Sequence, residues 1–155
     1  MKDKGTPVSP TKESLPVVNR WIDAFNRHQV SDLAALYAQD AELFDSGMKR
    51  ARKGHREIEA WFTRRFRMSP SIMYTPHAQF VSDGQVAIQW TTSGRVERLL
   101  GQKWPGRLMR PFSVDGVSVF YLEQGLIQQQ RGYYDHLSLL EQILPPLKWV
   151  LPVRL

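Results

Sequence analysis

Any chemistry in this 155-residue chain has to come from oxygen and nitrogen side chains, because it contains no cysteine. Thiol nucleophiles, disulfide frameworks, Fe–S clusters and thiolate zinc sites are thereby excluded. The four histidines offer no metal set: His28, His55 and His136 fall at expected helix boundaries with no shared ligand spacing, and His77 stands alone on a strand from which it could reach a pocket. No phosphate-binding glycine loop or serine-nucleophile elbow is present. In Arg95-Val96-Glu97, strand alternation gives the guanidinium and the carboxylate one common face, shared with Gln89 and Thr91. If that face lines a cavity, the pair must satisfy each other or a ligand. If it faces water, it is an exposed contact worth little. Tyr133 and Tyr134 point to opposite faces of the last strand. One of them, with Trp90 or Trp61, could form the wall on which an apolar or aromatic ligand stacks. No metal or redox cofactor is implied.

The elements that must position these groups are read from periodicity. Ser14 can cap a helix carrying Val18, Trp21, Ile22 and Phe25 at i, i+3, i+4 and i+7. Ser31 can cap a second, short helix with Leu33, Leu36 and Tyr37. Residues 41–44 read as a strand ending in the turn Asp45-Ser46-Gly47, which the Asp45 side chain can organise by bonding its own backbone. A third helix starts after Gly54 and buries Ile58, Trp61, Phe62 and Phe66. Segments 72–81, 85–98, 108–123 and 126–134 are β-branched and aromatic, and turn signals separate them. Asp135 caps a last helix with Leu137, Leu139, Leu140 and Ile143 on its apolar side, stopped by Pro145-Pro146. Helices first and a meander of long strands after them predict an α+β fold. The expected architecture is a curved antiparallel sheet covered by about three N-terminal helices, plus the short C-terminal one. Val117, Val119 and Tyr121 alternate with Gly116, Ser118 and Phe120, so both faces of that strand are apolar. A lone sheet with one wet face would not need this, and a homodimer through the sheet face is expected.

Hydrophobic residues make up 42% and charged residues 23%, which is ordinary globular usage and room enough for one core. Residues 1–13 read as a flexible tail, 14–144 as the domain and 145–155 as an apolar tail. The first fifteen residues hold no apolar run fit for a signal peptide, and nowhere do some 18 apolar residues follow one another. Together with the missing cysteines, this predicts a cytoplasmic setting without a membrane partner. The net charge is +6, and Lys49 to Arg67 accounts for it with eight basic and two acidic residues. Such a patch can attract phosphates or an acidic ligand, or it can be a solvated loop and helix face. No nucleic-acid motif accompanies it, so nucleic acid is not the expected partner.

The run Gly101-x-x-x-Pro105-Gly106-Arg107, then Val114-Asp115-Gly116-Val117-Ser118-Val119-Phe120, Gly125-Leu126-Ile127 and Arg131-Gly132-Tyr133-Tyr134-Asp135, resembles the C-terminal half of SnoaL-like polyketide cyclases and limonene-epoxide hydrolases. Ala24-Phe25-Asn26, Leu36-Tyr37-Ala38-x-Asp40-Ala41 and Gly54-x-x-x-Ile58 are similar to the wider nuclear-transport-factor-2-like superfamily, which includes ketosteroid isomerase. The resemblance implies a cone-shaped half-barrel, usually dimeric, with a deep apolar pocket. It places Asp45 on the aspartate that moves the proton in the isomerase. A carboxylate at an apolar mouth suits that task, because low-dielectric surroundings make carboxylates more basic. Trp21 falls on the isomerase's tyrosine donor and Val114 near its protonated aspartic acid, so that oxyanion hole is missing and steroid isomerisation is not expected. Cyclases and hydrolases carry a working aspartate seven residues after the turn glycine, where this chain has Gly132. Asp135, three residues later, opens a helix and reads as its cap. The hydrolase's Arg-x-Asp pair has its counterpart in Arg95 and Glu97, and the cyclase's strand histidine falls on Ser118.

These readings lead to a pocket for a small apolar or aromatic molecule, with acid–base isomerase, cyclase or hydrolase chemistry. Asp45 would transfer the proton, and Arg95 and Glu97 would orient or activate. Trp21, Trp61, His77, Gln89, Trp90, Ser118, Gln128, Gln130 and Tyr134 would line the site. The alternative is a non-catalytic ligand-binding or dimerisation module of the same fold.

Overall fold

A computed structural model describes residues 11–99, 102–103, 105 and 110–144; the C-terminal tail and residues 1–10 of the N-terminal tail lie outside them. The order is α1 (Thr11–Asn26), α2 (Val30–Ala35), β1 (Tyr37–Asp45), β2 (Arg52–Lys53), α3 (Gly54–Met68), β3 (Met73–Ser82), β4 (Gln85–Val96), β5 (Arg98–Leu99), β6 (Gln102–Lys103), β7 (Arg110–Glu123), β8 (Leu126–Tyr134) and α4 (His136–Ile143). Six strands form one sheet in the order β2-β1-β8-β7-β4-β3, and β5 and β6 form a second, two-stranded sheet. All neighbours in the large sheet are antiparallel except β1 and β8, which run parallel. The sheet curves without closing, and the α+β half-barrel expectation holds.

Alternation along the strands sets the two faces. Val86, Ile88, Trp90 and Thr92 on β4, Phe112, Val114, Ser118 and Phe120 on β7, and Ile127 and Gln130 on β8 are buried on the concave face. Against them lie Val18, Trp21, Ile22 and Phe25 of α1 and Ile58, Phe62 and Phe66 of α3, each stripe at helical spacing. The Glu57 carboxylate reaches back to the Lys53 N–H at 3.1 Å, satisfying one of the donors that a helix start leaves free.

Three local expectations are corrected. The first helix opens at Thr11, so Ser14 lies inside it and Pro16 sits beyond the first turn. Ser31 lies inside α2, whose N-cap is Gln29 without a side-chain bond. Tyr37 begins β1 instead of ending that helix, because its buried hydroxyl is held between Trp21 of α1 and Gln130 of the neighbouring strand β8. At the other end the expected cap forms: Asp135 accepts from the Ser138 N–H at 3.0 Å. α4 then covers a stretch of β7 that β8 does not reach, and Gln142 bonds both the N–H and the C=O of Ser113, at 2.9 and 3.0 Å. Those backbone groups would otherwise lack a strand partner on that side.

Candidate functional site

The parallel register aligns Asp45 with Gly132, and the antiparallel register aligns Gly132 with Ser118, so the three form one row across the concave face. Asp45 ends β1 and does two jobs at once. Its Oδ1 accepts from the Gly47 N–H at 3.0 Å, and its backbone C=O accepts from the Met48 N–H at 2.7 Å. Oδ2 is left to face the hollow under the helices, and Arg65 Nη1 stands 3.8 Å from it. The Asp45 side chain is only 15% exposed, whereas a turn aspartate normally stands in water.

The other groups at this mouth come from helix ends. Arg65 lies one turn beyond Trp61 on α3. His136 is the first residue of α4, and its ring stacks on Tyr134 with centroids 4.0 Å apart. Its Nε2 faces Asp45 Oδ1 at 3.8 Å, too long for a hydrogen bond, while Ser46 Oγ lies 3.4 Å from its Nδ1. A side chain at Gly47 would collide with this imidazole, so only glycine lets the turn pass so close. Arg65 Nε and His136 Nε2 are buried and find no hydrogen-bond partner among the described residues. Burial, reinforced by the negative charge of Asp45, pushes the Tyr134 hydroxyl up to about 12, and Arg65 opposes the rise. That hydroxyl therefore stays protonated at any physiological pH and can only donate to a charged oxygen.

Behind the mouth, aromatic rings nearly fill the hollow. Trp21 packs on Phe25, Tyr74 and Phe120 at centroid distances of 5.2–5.3 Å, and Tyr74 packs on Trp90 at 5.2 Å. About 30 Å³ stays open, lined by Trp21, Asp45, Trp61, Arg65, Tyr74 and Gly132 among others. That is space for roughly one or two water-sized groups. The polar atoms of the core are largely committed to one another. Trp21 Nε1 donates to the Tyr37 hydroxyl at 2.8 Å, which donates in turn to Gln130 Oε1. Trp90 Nε1 donates to Ser118 Oγ at 2.9 Å. Burial raises the Tyr74 hydroxyl; Ser118 is near enough to temper that without meeting hydrogen-bond geometry.

Of the residues expected at the site, Asp45, Trp21, Trp61, Trp90, Ser118 and Gln130 line this hollow, and Tyr134 stands at its mouth against Trp90 and Asp45. Arg95 and Glu97 do not line it. Arg95 is exposed on the convex face, where it pairs with Pro111, and Glu97 lies past the end of β4 with its N–H on the Met68 carbonyl. Alternation gave those two side chains and Gln89 a common parity but not its direction, and the buried set Val86, Ile88, Trp90 and Thr92 claims the inside. Gln89 and His77 are exposed on the outside. There His77 Nε2 lies 2.6 Å from Thr91 Oγ1, which donates to Asp115 at 2.5 Å. Gln128 sits where the β7–β8 register shifts and does not line the hollow. Sequence reasoning missed Arg65 and His136. The signal for Arg65 was its i+4 relation to Trp61, and His136 carried none beyond following a capping aspartate.

Outside the mouth, a second and larger cleft of about 670 Å³ runs between the loop after β1 and α3. Gly47, Met48, Lys49, Arg50, Arg52, Trp61, Arg64, Arg65 and Met68 line it, so Trp61 and Arg65 border both spaces. Among the described residues no group of histidines and carboxylates has the geometry to hold a metal ion, and no helix is long and apolar enough to cross a membrane.

The sequence and this architecture have known relatives. No curated protein matches the chain. Among solved structures, a protein of Jannaschia sp. CCS1 assigned as a SnoaL-like polyketide cyclase superposes with a TM-score of 0.76 at 19% identity, covering 90% of this chain and 97% of that one. A nuclear-transport-factor-2-like protein of Burkholderia xenovorans LB400 gives a TM-score of 0.69 at 22% identity, with 86% and 97% covered. A protein of Catenulispora acidiphila DSM 44928 with a ketosteroid isomerase-like fold, in complex with trimethylamine, gives 0.70 at 21% identity, with 81% and 90% covered. At these identities the likenesses speak for the fold alone. The SnoaL-like domain model matches residues 18–130, most of the sequence, and the chain therefore belongs to the SnoaL-like family.

Proposed function

We propose that this protein binds a small, mostly apolar or aromatic molecule at the mouth of the hollow and performs proton-transfer chemistry on it with Asp45. The observation that carries this reading is the division of labour in the Asp45 carboxylate. One oxygen is anchored by the Gly47 N–H, and the other is turned inward beside Arg65. An anchored carboxylate at a largely apolar site has the position a general base needs. In the reaction it would take a proton from an acidic C–H or from an attacking water. Arg65 Nε and His136 Nε2, both buried and unbonded among the described residues, and the protonated Tyr134 hydroxyl would donate to the oxygen on which negative charge develops. Isomerisation, cyclisation and epoxide hydrolysis all share that demand. The trimethylamine of the Catenulispora protein is a poor guide here, because Arg65 and the basic cleft disfavour a cation.

A second reading, a binding module without turnover, is favoured by the roughly 30 Å³ left in the hollow and by Gly132 where related enzymes carry aspartate. Mass spectrometry of enolisable aromatic ketones and epoxides incubated with the protein in D2O separates the two. Deuterium uptake or diol formation is expected, falling about a hundredfold or more in Asp45→Asn. Turnover that survives this substitution would remove Asp45 from the chemistry. Ligand-induced thermal stabilisation without turnover across the panel would favour the module.

The same reading includes a homodimer through the convex face. Val117 and Tyr133 are direct cross-strand neighbours there, 42% and 48% exposed, and Phe80 on edge strand β3 is 67% exposed. Apolar groups clustered on one sheet face are usual at protein interfaces.

A further inference from the structure

We infer that the natural ligand carries an anionic group (a carboxylate, sulfate or phosphate ester on an apolar body), held in the basic cleft between the β1–β2 loop and α3. This rests on the reading of the hollow as a ligand site and names the class of molecule that site takes. The space inside admits only a fragment of any drug-sized molecule, at about 30 Å³, whereas the cleft at about 670 Å³ is within the range of small-molecule sites. Most of a bound ligand must therefore lie in the cleft. Five of its lining residues are cations and none is a carboxylate.

Two of the five are already engaged: Arg50 makes a paired bond to Glu57 at 2.8 and 3.0 Å, and Arg65 leans on Asp45 at 3.8 Å. Among the described residues, no carboxylate forms an ion pair with Lys49, Arg52 or Arg64. Like charges gathered in one concavity repel, and an anion relieves that repulsion. The remaining wall is apolar. Trp61, Arg64, Arg65 and Met68 share one α3 face at i, i+3, i+4 and i+7, and the guanidinium carbons of Arg52 and Arg65 lie 5.8 and 6.0 Å from the Trp61 ring centroid. A flat body on Trp61 would place its acidic group among the arginines and its far end at Asp45. An extended polyanion would want a track of charge, whereas these cations converge on one cavity.

Anilinonaphthalene sulfonate and the uncharged phenylnaphthylamine share an aromatic body and differ in the anion, so fluorescence titration of both isolates the charge. The sulfonate is expected to bind about tenfold tighter or more, the size of one charge-assisted contact, and to weaken as salt rises. Arg52→Gln with Arg64→Gln should erase that advantage by weakening the sulfonate far more than the neutral probe, while Trp61→Ala weakens both. Circular dichroism of each variant guards against misfolding, and single Arg64→Gln gives a milder variant with the same sign. Equal affinity of the two probes, unmoved by the arginine substitutions but weakened by Trp61→Ala, would overturn the anionic class and leave the ligand site standing. Binding of neither probe would overturn both. Displacement of the sulfonate by short single-stranded RNA at lower concentration than by free naphthalene sulfonate would overturn the small-molecule reading in favour of nucleic acid.

Discussion

Two glycines on the concave face should respond oppositely to the same added methyl group. At Gly132 a Cβ would lie 3.6 Å from Ser118 Oγ, 3.8 Å from Asp45 Oδ2 and 3.9 Å from the Phe44 carbonyl, all ordinary van der Waals contacts. The backbone there is not in the left-handed region, so alanine fits without strain. Gly132→Ala should then stabilise by about 0.4–1 kcal/mol through reduced freedom of the unfolded chain. At Gly116 the same atom would stand 2.5 Å from the Trp90 ring and 2.6 Å from the Tyr133 carbonyl. Trp90 is 3% exposed and bonded to Ser118, so the ring has no free direction in which to move. Gly116→Ala should cost about 3 kcal/mol, the upper end of overpacking penalties. At about 2–4 °C per kcal/mol for a chain of this size, thermal melts should rise by a few degrees or less for Gly132→Ala and fall by about 6–12 °C for Gly116→Ala. A neutral Gly116→Ala, or a Gly132→Ala that melts markedly lower, would refute the packing on which the whole site description stands.

Other outcomes follow from the same contacts. Ser118→Ala strips the buried Trp90 N–H of its acceptor and should cost about 1–3 kcal/mol, read as a lower urea midpoint at unchanged m-value. At alkaline pH, burial keeps Tyr37, Tyr74 and Tyr134 neutral while unfolded tyrosine ionises near 10, so the unfolded state binds fewer protons. Stability should therefore be lost as pH climbs from about 10, through about 12 for Tyr134, and a urea midpoint flat across pH 9 to 11.5 would contradict this. At the acid end Glu57, held at about 2 chiefly by its hydrogen bonds from Arg50, contributes stability above 4.5 that fades as pH drops towards 2, a loss that Arg50→Ala should largely remove. Phe80→Glu with Tyr133→Glu should halve the mass seen by light scattering if the convex face joins two copies, because like charges would then face each other across it; an unchanged mass would place any interface elsewhere.

What the sequence made legible was whatever depends on local period. The stripes of α1 and α3, the four long strands and the Asp135 cap could all be read, because each is written within a few consecutive residues. The parity of Arg95, Glu97 and Gln89 was legible too, but which parity faces inward is decided by packing across the sheet. Tyr37 shows the same limit from the other side: its helical spacing was overruled by partners far along the chain. Asp45 was found through family likeness, and its setting needed coordinates. Arg65 and His136 reach it from helices on either side of the long meander, and no spacing in the sequence joins them. How nearly the rings fill the hollow was equally beyond a linear reading, since a list of aromatics gives no volume.

The side-by-side pairing of β1 with β8 has a consequence for how the protein is made. During synthesis β1 emerges early and must wait for nearly the whole domain before its parallel neighbour exists. Until then the edge of β1 that β8 will cover lies open, a state prone to chaperone capture or self-association. Among the strand pairings this one closes the longest loop, so it carries the greatest entropic cost and should come late. The carboxylate and the glycine facing it would then meet only as the last strand docks, so a ribosome-bound chain halted before β8 would hold Asp45 and Arg65 but lack the Gly132, Tyr134 and His136 that complete the working corner.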